Sequence, residues 1–191
     1  LGALEGDRVA TLAFLAEDHE LFDDAVAAKT TLLATTAMMS LAVGDLRRAY
    51  ADAHEAVLLD PFGINSSAVL NIEARAALWL GDLDALREAR EAMNRLRGRT
   101  IVALRRNADA GIAALEGRPD EAAQIYQEAL ERWSNLEAPF EIAMCELDMV
   151  KVLGPEHPDA IVAKDARDLF TTMGARAFLA MLDDVCGVTP Q

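Results

Sequence analysis

A glycine with an aspartate at or shortly after it recurs along the chain, at Gly6-Asp7, Gly44-Asp45, Gly81-Asp82, Gly117 with Asp120 and Gly154 with Asp159. From glycine to glycine the steps are 38, 37, 36 and 37 residues. Glycine ends a helix because it adopts the left-handed conformation that lets the last carbonyls be satisfied. Aspartate opens the next because its carboxylate accepts from amides of the first turn. Punctuation at this fixed period leaves room for two helices per step, so the sequence predicts an array of helical hairpins. A hairpin alone exposes an apolar flank, which its neighbour must cover and which a last helix must seal at the end of the stack.

The residues between the marks fit that plan. After Gly44-Asp45-Leu46, the small Ala49 and Ala56 stand two turns apart on one face, and Pro61 stops the run. Ala122 and Ala129 repeat those offsets after Gly117, whereas the second copy carries Leu86 and Met93 there. Small residues let helices approach, with Tyr50, Tyr126 and Leu130 filling the space between pairs. Apolar spacing predicts helices over about 8–18, 23–43, 46–59, 66–80, 83–96, 100–116, from Pro119 to 134, 139–153, 160–173 and 176–186. The cleanest stripe is Ala122, Ile125, Tyr126, Ala129, Leu130 and Trp133; in the helix at 66–80 the buried face is expected to be Leu70, Ala74, Ala77 and Leu78. Asn65 or Ser66 is expected to cap that helix. No strand is expected, since alternation with period two is missing.

Chemistry-bearing motifs are sparse. The sequence has no G-x-x-x-x-G-K-[ST], G-x-G-x-x-G, H-E-x-x-H or G-x-S-x-G. His19, His54 and His157 are scattered, and Cys145 and Cys186 stand 41 residues apart with no histidine at ligand spacing. Neither a metal nor a cofactor is therefore expected, no residue is assigned catalysis, and two free thiols suit a reduced, cytoplasmic setting. A net charge of −14 repels phosphate backbones and argues against a general nucleic-acid binder. The sequence contains no run of about 18 uninterrupted apolar residues, and no basic start leads into an apolar stretch, so neither a span nor a signal peptide is expected.

With the glycine, alanine and proline positions in place, Gly44-Asp45-Leu46, Ala49, Ala56 and Pro61 resemble the second helix of a tetratricopeptide repeat (TPR). The stretch Ala138-Pro139-Phe140-Glu141, Leu147, Leu153-Gly154-Pro155-Glu156-His157-Pro158, Ala166-Arg167-Asp168-Leu169-Phe170 and Met173-Gly174-Ala175-Arg176 resembles more specific relatives. These are the C-terminal helical tails of bacterial signalling ATPases of the STAND/AAA type, joined to adenylate or guanylate cyclase domains or to LuxR- or MalT-type DNA-binding domains. The resemblance implies an all-α fold: a right-handed superhelical array of antiparallel helix pairs, a TPR-like α-solenoid, with a C-terminal cap. The pairs fall at about 1–18, 23–59, 66–96, 100–134 and 139–173, with the cap at 176–186, in one repeat domain over 1–191 that is expected to be a fragment of a longer protein. No catalytic or DNA-reading motif of the parent types is present, so the implied role is a non-enzymatic sensor or scaffold. A free-standing adaptor is the competing class, and an enzyme with an unrecognised carboxylate site a third.

In such arrays the first helix of each pair lines the concave groove. Asn71 and Asn107 each precede their glycine by ten residues and so occupy equivalent places on two such helices. Arg75 and Trp79 follow Asn71 at i+4 and i+8, which puts an amide, a guanidinium and an indole on one stripe. That set suits a peptide backbone or carboxylate, the alternative being solvated polar residues with Trp79 packed between helices. Arg95, Arg97, Arg99, Arg105 and Arg106 form a local positive patch that either receives an acidic partner segment or another domain, or balances nearby glutamates. The expected partner is a protein, a peptide or another domain of the parent, not nucleic acid and not a membrane.

Overall fold

The glycine marks at Gly44, Gly81 and Gly117 turn the chain in the same way. In the computed structural model, which describes residues 26–62, 66–158 and 163–188, Gly44, Gly81 and Gly117 have φ of 81°, 72° and 77°. The amide after each glycine reaches back to a carbonyl five residues earlier, Asp45 to Ser40 at 2.9 Å, Asp82 to Ala77 at 3.0 Å and Arg118 to Ala113 at 2.9 Å. This is the Schellman closure, and it needs a residue without Cβ strain at the turn. Asp45 Oδ1 then accepts from the Arg48 amide at 3.2 Å and Asp82 Oδ1 from the Ala85 amide at 3.0 Å. One dipeptide thus ends a helix and begins the next.

The described residues form nine α-helices: α1 Val26–Val43, α2 Leu46–Leu59, α3 Ser66–Leu80, α4 Leu83–Ala92, α5 Arg99–Leu115, α6 Pro119–Ser134, α7 Pro139–Leu153, α8 Ala163–Met173 and α9 Arg176–Val185. A 3₁₀ turn, Met93–Arg95, extends α4. Pro119 and Pro139 each stand in the first turn of their helices, where the missing amide costs nothing. No strand occurs among the described residues. The expected helix at 8–18, residues 23–25, Asn65 and Asp159 lie outside the described residues. Ser66 is the first residue of α3 and its hydroxyl donates to the Asp60 carbonyl at 3.2 Å, so it ties the helix to the preceding loop.

Consecutive helices pack in sequence-adjacent pairs, and the odd-numbered helices also touch in series, α1 with α3, α3 with α5, α5 with α7 and α7 with α9. Two further contacts skip much of the chain. α3 meets α7, and α9 reaches back to α1. Because α3 is surrounded by α1, α2, α4, α5 and α7, its burial extends around the whole circumference, from Val69 through Leu78. The expected single face of Leu70, Ala74, Ala77 and Leu78 is buried, and so are Asn71, Ile72, Glu73, Arg75 and Ala76. α7 is the same from Ala143 to Val150. Helices that are apolar all round belong in a core, and here each carries polar residues into it.

The outer helices keep one apolar stripe. In α6, Ala122, Tyr126 and Ala129 have no exposed surface and Trp133 is 2% exposed. In α8, Ala166 and Phe170 are buried, while Met173 is exposed. Phe178 of α9 packs between Phe170 and Phe140, with ring centres 5.9 and 5.7 Å away. Ala122→Leu is expected to overpack the α6 interface and cost about 1–3 kcal/mol, read as a lower melting temperature; an unchanged melt would show that Ala122 has room beside it. α1 is long and apolar enough, by length and composition, to cross a membrane, with a mean hydropathy of 1.4 and one third of it buried.

Candidate functional site

The stripe foreseen on α3 exists, and it points at α7. Asp148 gathers it. Arg75 Nε donates to both carboxylate oxygens at 3.1 and 2.9 Å, Trp79 Nε1 to Oδ1 at 2.7 Å, and Asn107 Nδ2, from α5, to Oδ2 at 3.2 Å. Two turns earlier on α7, Glu141 accepts from Asn71 Nδ2 at 3.2 and 3.1 Å and from Arg75 Nη2 at 3.4 Å. Residues seven apart lie on one face of a helix, so a single face of α7 meets both asparagines and the arginine. The acidic group expected to come from a partner is supplied by the chain itself.

Burial sets the electrostatics. Arg75 is 2% exposed and Asp148 also 2%. Burial opposes the arginine's charge, but the Asp148 and Glu141 carboxylates outweigh it and hold the guanidinium above its ordinary pKa. Asp148 faces only donors at both oxygens, an arrangement that uses it as a carboxylate. Burial, with Asp148 nearby, pushes the Tyr126 phenol and the Cys145 thiol well above their usual values. Lys151 Nζ lies 4.9 Å from the Trp79 ring centre, and burial lowers its pKa. Arg75 Nη1 and Asn107 Oδ1 have no protein partner, and their residues line a crevice of about 10 Å³, close to the size of one water molecule.

A larger pocket, about 290 Å³, opens beside this network. Asn71 and Glu141 form its inner edge, with Ser67 of α3, Thr100 and Leu104 of α5, and Trp133 and Leu136 at the end of α6 around them. The indole Nε1 of Trp133 is buried without an acceptor. The pocket is thus mostly apolar with a few convergent polar groups, the composition of small-ligand sites.

Not all predicted residues converge here. Asn71, Arg75, Trp79 and Asn107 are brought together by α3 and α5. Arg105 lies elsewhere; its Nη2 donates to the Met93 and Leu96 carbonyls at 2.9 and 2.8 Å and so closes the open end of the α4 segment. Arg106 pairs with Glu128 at 3.0 Å across to α6. Arg97 donates to the Asn94 and Leu96 carbonyls at 2.7 and 3.1 Å, so Arg97, Arg105 and Arg106 of the basic patch are matched locally. Arg95 and Arg99 are exposed.

Sequence reasoning missed Glu141, Asp148 and Trp133 as site residues, and two further buried acids. Glu73 is 3% exposed and bonds His54 Nδ1 at 2.7 Å, with the His54 ring stacked on Tyr50. Glu146, 4% exposed, accepts from the Ala166 amide in the first turn of α8. A signal was available. Three acids within the otherwise apolar run Phe140–Val150 have no solvated face if that helix is central. Among the described residues there is no cluster of three metal-ligating side chains, and both cysteines are free. Comparison with protein-family models, curated proteins and solved structures gives no match.

Proposed function

We propose that this chain is a non-catalytic ligand-sensing or scaffold module, a tightly wound right-handed TPR-like array that serves a multidomain bacterial signalling or transcription regulator. The regulator assignment rests on the sequence resemblance. The sensing role rests on one observation: Asn71 and Glu141 belong both to the wall of the 290 Å³ pocket and to the buried network joining α3, α5 and α7. A ligand that engages Glu141 competes with Asn71 and Arg75 for the carboxylate. It therefore changes how α3 packs on α7, and differential affinity for the two packings is what couples a site to the rest of a protein. The pocket's ionisable group is already engaged by amide and guanidinium donors, which suits binding better than proton transfer.

Ala68→Trp provides the test. Ala68 is an exposed residue lining the pocket, so the larger ring fills it without entering the core. In a thermal-shift screen of small cationic, neutral and anionic aromatic fragments, at least one class is expected to raise the melting temperature of the natural chain and not of the variant. No shift in the natural chain with any class would overturn the sensing role.

A further inference from the structure

We infer that the pocket takes a small primary amine that has a short apolar body. This assignment rests on the sensing role proposed above and names its ligand class. The charge count comes first. Two carboxylates, Asp148 and Glu141, share one guanidinium, and Arg75 is committed to Asp148 through Nε at 2.9 Å and only reaches Glu141 at 3.4 Å. The next cation on α7, Lys151, is ten residues from Glu141, about 15 Å along the helix, and sits over Trp79. The pocket end of the network is left with excess negative charge at Glu141, whose two oxygens have more accepting capacity than Asn71 and Arg75 use. An ammonium group meets that need, and the net charge of −14 steers cations toward the surface.

The second element is Trp133. Its indole lines the pocket and is 2% exposed, with Nε1 closed off from solvent, so it contributes apolar ring surface. Leu104, Leu136 and Ala138 complete the wall with apolar surface, which accommodates a ring or short chain. The volume limits the ligand to a small molecule or a single side chain.

Isosteric probes test this on the natural chain by calorimetric titration. 2-Phenylethylamine is expected to bind at least about tenfold more tightly than phenylacetate. Glu141→Gln is expected to remove the preference for amines over 2-phenylethanol. Nα-acetyl-lysine N-methylamide distinguishes the source of the ammonium: tighter binding than 2-phenylethylamine assigns it to a polypeptide lysine, weaker binding to a small metabolite-sized amine, and both support the class. If phenylacetate or 2-phenylethanol binds as tightly as the amines, the ligand class is wrong while the sensing role stands. If none of the probes binds, and the fragment screen on the natural chain is also silent, the sensing role fails with it. The probe comparisons use the unaltered chain, so an unfolded variant cannot obscure the answer.

Discussion

Asp148→Ala is expected to destabilise the chain by about 3–5 kcal/mol, because it leaves the Arg75 guanidinium buried with its nearest carboxylate gone. For a domain of this size the melting temperature should fall by about 10 °C. Glu141 at 3.4 Å tempers the loss, while the Trp79 and Asn107 donors add to it, since both lose their acceptor. Replacing the pair by apolar residues, Arg75→Met with Asp148→Leu, is expected to recover much of the stability, since no charge is then stranded. A double-mutant cycle measures the coupling. Additive single effects would show that the two residues do not act as a pair, and an unchanged melt for Asp148→Ala would show that α7 does not dock on α3 through this carboxylate.

Raising the pH should weaken the fold through Glu146. Burial, together with Asp165 nearby, lifts its carboxyl to about 8 from an ordinary 4.5, against the Ala166 amide, which favours the charge. One carboxylate oxygen has no partner. A folded-state pKa above the unfolded value means that the folded chain binds the proton more tightly. Its contribution is complete below about pH 4.5, declines as pH rises, and is lost once pH passes about 8. Burial raises the Glu73 carboxyl in the same direction, opposed by His54. Glu146→Gln imitates the protonated form. It is expected to match the natural chain near pH 4.5 and to exceed it by on the order of 3 kcal/mol at pH 9, allowing for partial solvation of the carboxylate. Melting curves across that range decide; parallel curves for the two proteins would place the pH dependence elsewhere.

The asparagines show how far reading along the chain goes. Equal spacing from successive glycines put Asn71 and Asn107 on equivalent positions, and both do face one neighbour, α7. What spacing could not supply was the identity of that neighbour. Asn71 and Glu141 are 70 residues apart, and no local pattern relates them. The same holds for Arg105, which looked like part of a surface patch and instead ties down the carbonyls at the end of the α4 segment. Trp133 was read as the last member of the α6 stripe, which its 2% exposure bears out; that it also walls a pocket depends on the α6–α7 connection folding beside α3 and α5.

Helix ends and helix type were local questions. A left-handed glycine, a capping aspartate and a proline in the first turn act through hydrogen bonds within a few residues, so the amino-acid order alone determined where α2, α4, α6 and α7 begin. Whether α3 and α7 would line an open groove or meet one another was a question of tertiary packing. The contact of α3 with α7 answered it, by turning an expected binding stripe into a buried ion network and leaving a pocket at one end. That outcome depends on bringing together residues such as Asn71 and Glu141, 70 apart in the chain, which no local pattern encodes.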